Sequence, residues 1–415
     1  FSWKVLAEVR SRHFRPGEWN RLKVRVEKDK ILCYLNGRLV IESADRVYRT
    51  GSVGLAKFRD TAAEFKDFQL GKQIPPYFPP EATTRRVAEL TKDLDPELPP
   101  QPELLKELAT QGEHGARALR DRAKLLESRA RRLRELAAEV HRRRAQAELV
   151  KTLAAEEDRI DLIRAVMLLA AMDNDEVDVD SYCEEVDKLA AELRESLPAK
   201  ADDKAKLAAL NKFLFEELGF HGSRHDYYNR ANSYLNEVLD DREGIPITLS
   251  VLYMEIGRRV GLRMVGVGMP GHFVVRQLQK QGEPRLIDAY DGGKILDRAA
   301  AEEIVKNITG GPLLDRHLEP VTNRAIVLRM LQHLMHAKQR TEGTASVLPY
   351  LDAVIALEPT SLRERWLRAG LCYQSGRWRQ SLADIDWLAE HAPPELNREQ
   401  LGELRQRVEK QLNQE

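Results

Sequence analysis

The acidic stretch Asp173 to Asp180 has the residue types of a calcium loop, with Glu184 at the twelfth position counted from Asp173. An EF-hand loop needs glycine at its sixth position for a sharp turn, and Asp178 stands there, which argues against calcium. His221 and His225 are four residues apart, but Gly222 and Ser223 between them argue against a helix that would align two imidazoles on one metal. The three cysteines, Cys33, Cys183 and Cys372, lie far apart and build neither a disulfide framework nor a C-x-x-C metal site. No metal and no cofactor is expected. Since no thiol lies between Cys183 and Cys372, nucleophilic chemistry in the middle of the chain would fall to Ser233, Thr248 or Ser250. Each would need a base within hydrogen-bond reach.

Pro246 suits the first turn of a helix, where its missing N–H costs nothing. That helix runs from Ile247 to Val260, is mostly apolar, stops at Gly261, and carries Thr248 and Ser250 in its first turns. Two strands follow, Met264 to Val267 and, after Pro270-Gly271, His272 to Arg276. A third, Arg285 to Ile287, delivers Asp288. Upstream, Leu162, Val166 and Leu169 begin an apolar helix, Tyr182 to Leu193 form a second, and Leu207, Leu210, Phe213, Leu214 and Leu218 mark a third that ends at Gly219.

The flanks differ in character. Arg21 to Val26 alternates apolar and charged residues with the period of a half-buried strand, and Ile31 to Leu35 follows it. Asn36-Gly37 supplies the positive-φ pair of a type I′ hairpin leading into Leu39-Val40-Ile41. Gly51 to Leu55 and Ala63 to Phe68 read as closing strands. Eight prolines (Pro75, Pro76, Pro79, Pro80, Pro96, Pro99, Pro100 and Pro102) make residues 73–102 an extended spacer. Beyond it a heptad of Leu119, Leu126, Leu133 and Val140, with Ala123, Ala130 and Ala137, suits a close helix pair or short coiled coil. Near the end, Pro359 and Pro393 stand 34 residues apart, the period of a tetratricopeptide repeat. Ala369, Tyr373, Gly376, Trp378 and Leu382 fit the packing positions of such a unit.

The runs Asn211 to Phe220, Asn232 to Asn236, Gly244 to Ser250, Pro270-Gly271-His272-Phe273 and Ile287-Asp288 together resemble the transglutaminase-like superfamily. They most resemble the SirB family, in which such a core carries a tetratricopeptide tail. The resemblance spans about residues 160–395. It implies a papain-like α+β fold and a triad: a cysteine thiolate at a helix N-terminus, a histidine on the next strand, and an aspartate that fixes the histidine tautomer. His272 and Asp288 match the second and third members. The cysteine position falls on Pro246, 15 residues before Gly261. The implied core is a non-catalytic binding or scaffold domain whose pocket near Asn232, Ser233, Asn236, Pro246, His272 and Asp288 recognises a ligand or peptide. The alternative is a hydrolase or acyl-transferase using Ser250, Thr248 or Ser233 with His272 and Asp288.

Pro16 to Asn20, Tyr34 to Gly37 and Gly51 to Leu55 resemble the concanavalin/laminin-G jelly roll, in particular the 3-keto-disaccharide hydrolase module. The resemblance covers about the last half of such a domain, and it implies a truncated sandwich with carbohydrate as a candidate partner.

The expected architecture is multidomain α+β. A partial β-sandwich occupies residues 1–72, a proline-rich linker 73–102 and a charged helical or coiled-coil segment 103–157. A transglutaminase-like core follows over 158–318, then an α-helical tetratricopeptide-like tail over 319–415. The expected partner is a protein or peptide, met by the tail or the core pocket. Basic and acidic residues balance at 66 each, so no global charge pulls the chain toward nucleic acid. The arginines of the helical segment also interleave with Glu127, Glu135 and Glu139 and lack stacking aromatics. The longest apolar run, Ala165 to Met172, is far short of the roughly 20 residues that span a bilayer. Sparse cysteines favour a reducing compartment such as the cytoplasm. The Phe1-Ser2-Trp3 start reads as a cut, behind which a signal or anchor can have stood, so localisation stays open.

Overall fold

A computed structural model describes residues 5–27, 29–45, 47, 54–55, 64–72, 79–95, 97–279, 284–391 and 398–413. The chain divides into two compact units, Phe1–Arg132 and Leu133–Glu415.

In the first unit β1 (Leu22–Val26), β2 (Ile31–Leu35) and β3 (Arg38–Ser43) form an antiparallel meander. Asn36 and Gly37 take φ of 50° and 83°, the positive pair the hairpin requires. The Asn36 side chain fixes this corner: its Oδ1 accepts from the Arg21 N–H at 2.9 Å and its Nδ2 donates to the His13 carbonyl at 2.7 Å. Leu22, Val24 and Val26 are each more than 60% exposed, so the alternating face of β1 meets solvent. Of the two expected closing strands, residues 51–53 and 63 lie outside the described residues. Residues 64–68 form no strand, because alternation without a partner edge leaves the backbone groups to water. The described residues therefore hold one sheet layer of the expected sandwich.

The proline-rich spacer also needs correcting. It contains a helix, α1 (Glu81–Leu90), which starts directly after Pro80 and contains no proline; its apolar face buries Val87. Pro75, Pro76 and Pro96 lie outside the described residues. α2 (Pro102–Ala109) begins with proline at its first position, and α3 (Glu113–Leu153) follows a break at Gly112, φ 62°. Along α3 the heptad residues Leu126, Leu133 and Val140 are 47%, 66% and 68% exposed. Among the described residues no second helix covers that seam.

The second unit begins with the buried last turns of α3. Ala145, Leu149 and Leu153 join one hydrophobic cluster with α4 (Leu162–Ala171), which Asp161 caps by accepting from the Arg164 N–H at 3.0 Å. α5 (Val179–Ser196) is capped in the same way by Asp178. α6 (Asp203–Asn211) runs on as a π-helical turn, Lys212–Glu217, and closes at Gly219 with φ 73°. The short strands β4 (His221–Gly222) and β5 (Glu243–Gly244) pair in parallel around α7 (Leu235–Asp241). The next helix, α8 (Pro246–Arg259), is buried along most of its length.

α8 lies on a five-stranded sheet made of β6 (Met264–Val267), β7 (Val274–Gln277), β8 (Arg285–Asp288), β9 (Lys294–Leu296) and β10 (Pro320–Val321). The order is β10-β6-β7-β8-β9, with every neighbouring pair antiparallel. α9 (Arg298–Thr309) covers a smaller cluster of Val267, Val274 and Leu296.

The helix α10 (Asn323–Glu342) packs Ile326, Val327, Met330, Leu331 and Leu334 into the cluster that holds α4 and α8. It is thus part of the core rather than the start of a separate tail. Among the described residues four more α-helices follow: α11 (Leu348–Leu357), α12 (Leu362–Gln374), α13 (Trp378–His391) and α14 (Arg398–Leu412). The α12–α13 corner turns at Gly376, φ 73°, and Ala369, Ile385, Leu388, Leu401 and Val408 form the interior. Pro393, one of the two prolines 34 apart, lies outside the described residues.

The acidic stretch is structural. Asp178 caps a helix, and Asp173 accepts hydrogen bonds from the hydroxyls of Tyr234 and Tyr350 and sits 3.6 Å from the Lys338 ammonium. Among the described residues no group of three or more His, Cys, Asp or Glu is placed to hold a metal ion. No helix among them is long and apolar enough to cross a membrane.

Candidate functional site

β7 and β8 pair Val275 with Ile287, which brings the residues just before β7 beside the end of β8. His272 stands in the turn ahead of β7 rather than within the expected strand, and its Nε2 lies 2.9 Å from Oδ2 of Asp288. Both side chains are buried. The other carboxylate oxygen of Asp288 accepts from the Tyr290 N–H at 3.0 Å, so the carboxylate is held from two sides. With Nε2 engaged by Asp288, Nδ1 is the remaining ring nitrogen of His272. The Tyr290 ring stands edge-on to the imidazole at 6.0 Å.

The turn itself is tight. Gly271 has φ 73°, and a Cβ there would run into Ile308, so only glycine fits. Arg329, from α10, clamps the turn by donating from Nη2 to the carbonyls of Met269 at 2.8 Å and His272 at 3.0 Å.

The three hydroxyls that could act as nucleophiles are placed differently. Thr248 Oγ1 donates to the Asn232 carbonyl at 2.9 Å and accepts from the Ile245 N–H at 3.1 Å. It thereby ties the start of α8 to the segment before α7. Ser250 Oγ donates to the Phe273 carbonyl at 3.3 Å, and both hydroxyls are wholly buried. Ser233 is also buried, and none of the three is hydrogen-bonded to the His272 ring. Asn232 donates from Nδ2 to the Asp226 carbonyl at 2.8 Å, and Asn236 donates to Glu237 at 3.1 Å. These residues shape the frame around α8 and do not line the space beside His272.

That space is a cavity of about 10 Å³ lined by Tyr227, Ile245, Pro246, Ile247, Gly271, His272, Phe273, Arg329 and His333. It holds about one water-sized oxygen. Pro246 and His272 are the two expected site residues that meet there. Asp288 stands behind His272, while Asn232, Ser233, Asn236, Thr248 and Ser250 lie outside the lining. Sequence reasoning missed Arg329, His333 and Tyr227. The signal for the first two was their i, i+4 spacing on a helix otherwise read as tail. Burial, with Arg329 and His336 nearby, pushes the His333 imidazole down to about 4. Burial also lowers the Arg329 guanidinium from its ordinary value.

A larger cavity, about 700 Å³, lies between the end of α3 and the start of α4, lined by residues such as Arg144, Glu148, Lys151 and Arg164. It contains none of the candidate residues.

Residues 180–332 match a family model described as the transglutaminase-like superfamily. Over 220 residues the chain is 31% identical to a UPF0162 protein of Xylella fastidiosa, an alignment covering 51% of this chain and 78% of that one. It is 32% identical over 190 residues to F-box only protein 21 of Pongo abelii, covering 43% of this chain and 30% of that protein. Among solved structures, menin aligns over 58% of this chain and 68% of its own at 9% identity and a TM-score of 0.28, which is too remote to carry an argument.

Proposed function

The chain belongs to the UPF0162 family and carries a transglutaminase-like domain, and on that premise we propose that the domain is a binding scaffold of the SirB type rather than a thiol enzyme. The observation that carries this reading is Pro246. It stands where the resemblance would put the nucleophile, and it lines the same cavity as His272. Proline offers neither a nucleophile nor a backbone donor to that space. The His272–Asp288 pair then serves as a rigid, polar wall for a ligand group. The tail helices, with their tetratricopeptide-like packing, extend the same scaffold toward a protein or peptide partner.

The retained His–Asp geometry keeps a second reading open to test, a hydrolase or acyl-transferase whose hydroxyl reaches His272 after a rearrangement of α8. The deciding measurement is reaction of the full chain with a fluorophosphonate probe and a panel of acyl esters, beside the His272→Ala variant. No labelling, with the variant folded, is the expected result. Labelling that disappears in the variant would overturn the scaffold reading and identify the enzyme.

A further inference from the structure

Arg329 is a half-buried cation for which the described residues provide no carboxylate partner. Its hydrogen bonds go to two carbonyls, both from Nη2, which leaves Nη1 and Nε for other acceptors. The contrast with its neighbours on α10 is direct: Lys338 sits beside Asp173 and Glu342, and Arg324 binds the Leu153 carbonyl outside the cavity. A guanidinium removed from water without an anion is unfavourable unless something supplies the charge. Burial accordingly lowers its proton affinity, and among the described residues the Tyr227 phenol offsets this in part.

The same cavity is also lined by the start of α8. The residue at its N-cap is Ile245, whose side chain carries no acceptor, so the Ile247 and Thr248 amides receive none of the usual side-chain capping. Those amides and the helix dipole favour negative charge at this point. His333, one turn along α10 from Arg329, is kept neutral by burial and can donate or accept a hydrogen bond. Farther along that face come His336 and Arg340, the latter 4.3 Å from the centre of the exposed Tyr228 ring. The cavity is therefore lined by one cation, Arg329, and by the Tyr227 ring, and the α10 face carries further basic residues beyond it.

We propose that the His272 cavity receives a single carboxylate group of a peptide ligand, with the free edge of Arg329 as its anchor and the uncapped α8 amides beside it. This rests on the scaffold reading above and specifies its ligand. The space, about 10 Å³, admits about one oxygen atom, so the ligand group enters by a single oxygen and the rest of it stays at the mouth. Charge and shape then select a carboxylate over a phosphate. One uncompensated guanidinium matches one negative charge, and its planar fork matches a carboxylate. The carboxylate comes either from a chain terminus or from an acidic side chain.

The test is histidine-selective NMR of the full chain titrated with four probes. These are N-acetyl-glycyl-alanine, the same dipeptide as its C-terminal amide, N-acetyl-aspartate N-methylamide, and inorganic phosphate. At least one carboxylate peptide should shift the His272 and His333 signals saturably. The amide should bind about tenfold more weakly or worse, as expected for loss of a charge-assisted hydrogen bond. Preference for the free terminus or for the aspartate side chain identifies the source.

Arg329→Gln should abolish the titration, but it also loosens the His272 turn. The second variant is therefore His333→Glu, which places a built-in carboxylate one turn from Arg329. It should block the titration and raise Tm. Equal binding of acid and amide, tighter binding of phosphate, no shift with any probe, or a His333→Glu protein that still titrates or melts earlier would overturn the assignment. Failure of the scaffold reading shows separately, as covalent labelling at a hydroxyl.

Discussion

The hydroxyls of Tyr234 and Tyr350 lie 3.3 Å apart although 116 residues separate them in the chain, and both donate to the same oxygen of Asp173. One carboxylate thus joins the segment before α7, the helix α11 and, through Lys338, the end of α10. Asp173→Ala would leave two buried phenols without their acceptor, while the Lys338 ammonium would keep only Glu342 at 3.6 Å. The expected loss is about 3 kcal/mol, from breaking hydrogen bonds to a buried charge, and urea unfolding of the variant against the parent chain measures it.

Burial raises both phenols above their ordinary value of 10, and each is raised further by Asp173. For such groups the folded state holds its protons while the unfolded chain releases them, so stability falls as pH rises past about 10. Absorbance titration of the phenolate band should show Tyr234 and Tyr350, together with Tyr182 and Tyr253, among the phenols that stay protonated after the exposed Tyr228 has ionised. Asp173→Ala should shift two of that late set. Simultaneous ionisation of all tyrosines in the folded protein would refute the shared-carboxylate arrangement.

His333 acts at the opposite end of the pH range. Its folded value of about 4 lies below the ordinary 6.5, so the unfolded chain binds the extra proton first. Its contribution to stability is whole above pH 6.5 and is lost as pH falls toward 4, by about 2 kcal/mol once partial exposure is allowed for. In His333→Gln that part of the acid sensitivity should vanish, which thermal melts at stepped pH will register.

Pro246→Cys restores a thiol at the start of α8 beside His272. Two of the three native thiols are poor competitors, since burial pushes Cys183 up to about 12 and Cys372 up to about 11. The part-buried Cys33 is removed by Cys33→Ser in the background. Iodoacetamide at neutral pH should therefore alkylate the new cysteine first, and His272→Ala in the same background should slow it. Equal rates with and without His272 would mean that the imidazole does not address the helix start.

Gly271→Ala forces a Cβ against Ile308 at a positive φ. A loss of about 2–4 kcal/mol is expected from strain and overpacking. Because the turn carries His272, the variant should also disturb the His272 NMR signal more than an equally destabilising change remote from it.

Several of these features could be read from the sequence because their causes are local. Asn36-Gly37, Gly219 and Gly261 mark places where only a positive φ closes the turn or helix, and all four residues adopt one. Pro246 opens its helix as a proline should. His272 and Asp288 meet because they flank adjacent antiparallel strands. What could not be read depends on direction and on remote partners. Thr248 and Ser250 sit in the helix as expected, but position along a helix does not reveal that their hydroxyls turn to the Asn232 and Phe273 carbonyls. Arg329 and His333 were missed because the apolar period of α10 is the same whether it packs on a core or on another tail helix. The heptad of α3 gave no sign that its leucines face solvent, since periodicity names a face and not its occupant.

The hydrophobic cluster that holds α8 draws on buried residues from Ala145 through to Val354. A protease or an expression boundary set at the limits of the matched family model, 180 and 332, would therefore cut through packed side chains rather than between modules. Such an excised piece should be recovered insoluble or molten. A fragment reaching from the last turns of α3 through α11 should melt in a single cooperative transition.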